Sequence, residues 1–231
     1  MKKRNSLSEL LKQSKLKLIK MNIQTFGFNP ILVNTYVVSD ETGEGIIIDP
    51  GNCNSVEDER LKEYIKSQNI NIKFIVNTHP HIDHIAGNPY CATAYNAPIY
   101  IHGAGLAIYN KAYAYAIAFG MSVKEMPQPK ILLQDGDEIR FGNTSFTVFY
   151  TPGHCDGSIC LYNKDEKIIF TGDVIFEHCI GRSDLPTGNE NLLQQSIREK
   201  IMTLDDNVTI LSGHGDKTTV GNERKHNTYI R

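Results

Sequence analysis

The sequence predicts an α/β protein in which two β-rich halves stack as a layered sandwich with helices outside. Three observations carry this. Apolar, β-branched runs recur along the 231 residues, each followed by turn residues, with helical patches between them. The two halves echo each other, since each has hairpins followed by a helix, a strand and a polar loop holding His or Asp. Hydrophobic residues make up 40% and charged residues 22%, an ordinary globular balance with enough apolar material for a sizeable core.

The elements follow in order. "ILVNTYVVSD" and "GEGIIIDPG" read as two strands joined by a turn at 41–45. "SVEDERLKEYIKSQ" reads as a helix capped by Ser55, with Leu61, Tyr64 and Ile65 on its apolar face. "IKFIVNT" is a short buried strand, and "APIYIH" is another. From Gly103 to Gln128 an Ala- and Tyr-rich segment looks helical. It is either a core helix or a cap over a site, with Tyr109, Tyr113 and Tyr115 as its wall. "DGDEIRFGNTSFTVFYTPGH" and "GSICLYNKDEKIIFTGD" are strand–turn–strand patterns. Asn189 to Leu204 forms a helix with Leu192, Leu193, Ile197 and Ile201 on one side, and "VTILSGHG" is a last strand. Residues 21–231 are read as one domain, preceded by a basic extension at 1–20.

Charge narrows the function. Residues 1–20 hold seven Lys/Arg and one Glu, so the remaining body carries −8 against a whole-chain net charge of −2. Phosphate neutralisation needs clustered positive charge, which argues against a nucleic-acid partner. The extension has no apolar run of signal-peptide length, and no stretch reaches the roughly 18 apolar residues of a membrane span. Five cysteines show no CxxC spacing, so reduced thiols and a cytoplasmic location are expected.

Four strands end on His or Asp: "FIVNTHPHIDH", "FTVFYTPGH", "IIFTGD" and "TILSGHG". If the strands lie in adjacent sheets, one edge gathers His79, His81, Asp83, His84, His154, Asp173 and His214. Imidazole and carboxylate donors suit zinc, iron or manganese. One catalytic zinc takes about three protein ligands, so five histidines and two aspartates suit two ions with a carboxylate bridge.

"THPHIDHIAG", "TPGHCDGS", "FTGDVIF" and "SGHGDKTTVGNER" together resemble the metallo-β-lactamase-fold hydrolase superfamily, in order and spacing, from Met21 onward. The resemblance implies an αββα four-layer sandwich with two mixed sheets inside and helices outside. It places His79, His81 and His154 on a first metal and Asp83, His84 and His214 on a second, with Asp173 between them. Two divalent ions follow, with Zn2+ first and iron or manganese as alternatives. Zinc-type β-lactamases often have a cysteine where this chain has Asp173, which argues against antibiotic hydrolysis.

"GRSDLPTGN" and "TTVGNERKHN" are similar to the compact glyoxalase II-like subgroup, which implies a small acyl thioester substrate. Larger glyoxalase II enzymes add a C-terminal helical domain that contributes to glutathione binding. Only 17 residues follow His214, so that module is expected to be missing. Asp83 is the expected catalytic residue, binding metal and orienting the nucleophile. His178, Arg182 and Tyr113 are candidate substrate contacts, although Arg182 has an alternative task in tying its own loop through Asp184. The competing readings are a mononuclear iron persulfide dioxygenase using His79, His154 and Asp173, and an ester, lactone or phosphodiester hydrolase of the same fold.

Overall fold

The computed structural model describes residues 21–118 and 125–230; residues 1–20 and part of the Gly103–Gln128 segment lie outside the described residues. The first sheet holds β1 (Asn22–Phe28), β2 (Val33–Ser39), β3 (Glu44–Ile48), β4 (Asn71–Val76), β5 (Ile99–His102) and β6 (Ile131–Leu133), in that spatial order. Its β1–β2 and β2–β3 pairs are antiparallel, and the remaining pairs are parallel. Between these strands run α1 (Ser55–Ser67), α2 (Ile82–Ile85), α3 (Asn88–Tyr95), α4 (Leu106–Tyr109) and α5 (Ala112–Ala118).

The second sheet begins with β7 (Glu138–Phe141), β8 (Thr144–Tyr150), β9 (Ile159–Asn163) and β10 (Ile168–Gly172). The short β11 (Ile175–Phe176) and β12 (Cys179–Ile180) form a separate hairpin. After α6 (Glu190–Ser196), β13 (Thr209–Ser212) and β14 (Thr218–Thr219) complete the sheet, and α7 (Val220–His226) follows. The spatial order is β14-β13-β10-β9-β8-β7. Only β10 and β13 pair in parallel.

Strand alternation makes four layers. In β2 and β3, Val38, Ile46 and Ile48 face inward, where they meet Phe146, Val148 and Phe170 of the second sheet. Val37 and Ile47 face outward onto Leu61 and Ile65 of α1. On the other side, Ile169 and Ile210 face outward onto Leu193, Ile197 and Ile201. Burying a side chain of this size contributes about 1.5–3 kcal/mol. The result is the expected αββα sandwich with two mixed sheets.

Several local expectations need correction. Asn54, not Ser55, caps α1; its side chain accepts from the backbone N–H groups of Val56 and Glu57. Leu192 sits on the exposed side of α6, while Leu193, Ile197 and Ile201 are buried. The helix also widens into a π turn at Ile197–Ile201. In its described part, the Ala/Tyr-rich segment is helical as expected, as the short α4 and α5 separated at Asn110–Lys111.

Strand direction decides where the polar ends emerge. The β10–β13 pair is parallel, with Gly172 opposite Ser212, so Asp173 and His214 leave the sheet at one edge. Strand β8 runs in the same direction as β10, because β9 is antiparallel to both, so the loop bearing His154 leaves there too. In the first sheet, parallel β3 and β4 place Asp49 and Asn77 side by side. The two sheets are stitched together at this edge. Asn34 donates its backbone N–H to the Gly213 carbonyl at 2.7 Å, and Tyr36 donates its hydroxyl to the Ser212 carbonyl at 2.6 Å.

Candidate metal centre

All seven predicted donors meet at this edge. Three groups form, each with one donor atom per residue and all of those atoms within 4.8 Å of one another: His79–His81–His154, His79–His84–Asp173 and Asp83–His84–His214. His81 Nδ1 lies 2.9 Å from His154 Nε2. Asp83 Oδ2 lies 3.2 Å from His214 Nε2 and 3.5 Å from His84 Nε2. Asp173 spans the groups, 3.3 Å from His84 Nε2 through Oδ1 and 3.8 Å from His154 Nε2 through Oδ2.

The backs of the rings are held. His154 Nδ1 donates to the Arg182 carbonyl at 2.7 Å. His84 Nδ1 donates to Asp49 Oδ2 at 2.9 Å. His79 Nδ1 sits 3.2 Å from Thr78 Oγ1, which itself donates to Asp49 Oδ2 at 2.6 Å. One carboxylate thus fixes His84 directly and His79 through a threonine. Sequence reasoning missed Asp49, although "IIIDPG" is another buried run ending on an acid.

Fixing Nδ1 leaves Nε2 turned inward. His79 Nε2, His84 Nε2 and Asp173 Oδ1 are buried without a hydrogen-bond partner. Buried polar atoms are ordinarily paired, and three orphans facing one another are the donor set a cation satisfies. The space between them requires glycine at 213. A Cβ there would collide with Asp173 Oδ1 and with the His84 ring.

Electrostatics divide the cluster. Burial and the surrounding histidines hold His79 well below the usual imidazole range. Burial and the neighbouring His154 push His81 down to about 4, and burial lowers His154 too, partly offset by Asp173. These shifts favour the neutral ring, which keeps a lone pair for a ligand. His84 behaves oppositely. Burial opposes its charge, but Asp173, Asp83 and Asp49 outweigh burial and raise it well above the usual range. Burial would raise Asp173, yet the charge His84 brings beside it, 3.3 Å away, pulls that carboxyl far below the carboxylate range. Metal binding displaces such protons, so it competes with them.

A cleft of about 580 Å³ opens over the cluster. Arg182 lines it while forming a two-pronged pair with Asp184 at 2.7 and 2.8 Å, so it also ties its own loop. Tyr115, not Tyr113, faces this cleft. Tyr113 is exposed and borders a separate cavity beside Tyr109 and Glu125. His178 is not among the lining residues; it sits in the β11–β12 turn near His226. Cys155 packs behind the loop against Ser158, and burial pushes its thiol up to about 12. His102 accepts from the Ala104 N–H and stacks on Tyr150.

Glu223 of α7 holds the cleft's lip. Its fully buried carboxylate accepts from the His178 backbone N–H at 2.9 Å, Thr218 Oγ1 at 2.6 Å, Asn222 Nδ2 at 3.1 Å and Asn227 Nδ2 at 2.8 Å. Asn227 Nδ2 also donates to the Cys179 carbonyl at 3.0 Å. The β11–β12 hairpin, which brings Phe176 and Cys179 to the cleft, is therefore clamped to the last helix. Glu223→Ala strands several buried donors at about 1–3 kcal/mol each. A fall of several degrees in thermal midpoint is expected, with faster proteolysis or amide exchange at 175–180. An unchanged midpoint would refute the clamp.

An αββα sandwich whose two sheets deliver a His/Asp cluster to one edge, able to hold divalent metal ions, defines a class. Residues 29–214 match the Metallo-beta-lactamase superfamily, and the chain belongs to that superfamily. It is 30% identical over 212 residues to hydroxyacylglutathione hydrolase GloC of Haemophilus influenzae, covering 91% of this chain and 98% of that one. The crystal structure of BLEG-1 B3 metallo-beta-lactamase superposes with a TM-score of 0.81 at 30% identity, covering 90% of this chain and 99% of that one. TTHA1623 in a di-iron-bound form also gives a TM-score of 0.81, at 29% identity, covering 90% of this chain and 100% of that one. Among the described residues, no helix is long and apolar enough to cross a membrane.

Proposed function

We propose that this metallo-hydrolase of the superfamily cleaves a small acyl thioester at the seven-donor cluster. The observation that carries the reading is the set of orphaned buried atoms, His79 Nε2, His84 Nε2 and Asp173 Oδ1, facing one another under an open cleft. In this reading His79, His81 and His154 hold one divalent ion, Asp83, His84 and His214 hold a second, and Asp173 lies between them. When bound, two such ions supply a water of low pKa and an electrophile for the carbonyl oxygen. The chain's own residues do the rest. Asp83, held by His214 at 3.2 Å, would orient the attacking water. Asp49 and the Arg182 carbonyl keep the imidazoles in one tautomer. A thiolate leaves without a general acid, since thiols ionise near pH 8.5. No serine or cysteine nucleophile is called on; Cys155 is buried and protonated.

GloC's name supports the thioester reading, and the likeness to BLEG-1 makes a β-lactam the informative competitor. The test is a screen of metal-loaded protein against thioesters including S-lactoylglutathione, a chromogenic cephalosporin, and a persulfide with oxygen uptake recorded. Thiol release that a chelator stops is the expected result. Cephalosporin opening or oxygen uptake without thioester cleavage would overturn the reading.

A further inference from the structure

The cleft's wall has a chemistry of its own. Beyond the donor cluster it is lined by Ile31, Ile108, Tyr115, Phe176, Leu185 and Pro186. Among the described lining residues outside the cluster, Arg182 is the one cation, and Asp184 already occupies its guanidinium through two hydrogen bonds. A substrate carboxylate entering here meets, among the described wall residues, one guanidinium whose charge Asp184 already balances, and losing its water would be costly.

The apolar wall is also built in place. Ile31 is 44% exposed, in a loop where Asn29 and Leu32 both take left-handed backbone, at φ 54° and 58°. A leucine in that region is strained, and such strain persists where surrounding structure enforces it. Here the enforcement is visible. The buried Asn29 side chain donates to the Gly51 carbonyl at 3.1 Å and the Asp83 carbonyl at 3.0 Å, and accepts from the Ile31 N–H at 3.0 Å. Ile31 is thereby tied to the backbone of Asp83, a member of the cluster. Phe176, also on the cleft wall, lies 6.3 Å from the His214 ring, centroid to centroid.

From the fixed apolar wall, whose one described cation is already paired, we infer that the acyl part of the substrate is an uncharged, apolar chain of several carbons, bound along Ile31 and Phe176 while its carbonyl reaches the cluster. The inference rests on the thioester reading and specifies its substrate class. Water adds across the acyl–sulfur bond, giving the carboxylate and the free thiol, so no further reactant is needed.

The test uses the metal-loaded full chain and acyl thioesters of one neutral thiol, N-acetylcysteamine, from acetyl to octanoyl, with the lactoyl ester of the same thiol alongside. Full burial of a methylene corresponds to about fourfold in affinity, and a half-open cleft realises part of that, so kcat/KM is expected to rise about tenfold or more from acetyl to hexanoyl. Ile31→Ser, in an exposed loop, is expected to reduce the hexanoyl-to-acetyl ratio about threefold or more. Acetyl cleavage with a flat or falling length profile would overturn the inference and leave the thioester reading standing. The lactoyl ester of the same thiol outpacing every longer acyl chain would do the same. No cleavage of any thioester would overturn both.

Discussion

Asp173→Ala is expected to leave the purified protein short of at least one metal ion and to abolish turnover. Asp173 reaches donors on both sides of the cluster, His84 through one oxygen and His154 and His214 through the other. Its Oδ1 is buried and has no hydrogen-bond partner, so its task is not to stabilise neighbouring backbone. Losing charge stabilisation worth several kcal/mol lowers kcat/KM by about a thousandfold or more. Asp173→Asn, which keeps size and removes charge, separates coordination from packing. Elemental analysis and kcat/KM on both variants check this. Full activity with two ions retained in Asp173→Ala would remove the bridging assignment.

Asp49→Asn is expected to have the next largest effect, though Asp49 reaches no cleft. Its carboxylate accepts from His84 Nδ1, from Thr78 Oγ1 and from the Thr78 backbone N–H at 2.7 Å. An amide there offers one acceptor where two are used, so one of His84 or Thr78 loses its orientation. Partners of this kind are worth about 10- to 100-fold in metal affinity or activity when removed. Chelator competition at fixed pH measures the affinity directly. The loss should appear in metal Kd, while kcat of the fully loaded enzyme changes less. Unaltered Kd would show that the rings hold their orientation without Asp49.

These two residues show where the sequence was readable. The seven donors stand in local signatures, each a buried run broken by His, Asp and Gly, and parallel or same-sense strands carry them to one edge. Asp49 obeys the same rule, yet a single acid after "III" carries no neighbouring imidazole to mark it. Glu223 is harder still. In "VGNERKH" it reads as a surface charge, and its contact with the distant His178 backbone, beside three local partners, is what the sequence does not show. The Tyr113 and Tyr115 choice turns on helical phase. In a run alternating Ala and Tyr, phase is set by the break at Asn110–Lys111 between α4 and α5, which composition does not reveal. Asn54 and Ser55 are equally good caps in sequence, and the structure selects the first through two backbone N–H groups.

The central claim is that one chain holds two divalent ions at this cluster and uses them for hydrolysis. Elemental analysis of purified, metal-loaded protein, normalised to chain concentration, tests it most directly. Two ions per chain, falling towards one or none in Asp173→Ala, is the predicted result. A single tightly bound iron per chain, with the second position never filling, would contradict it.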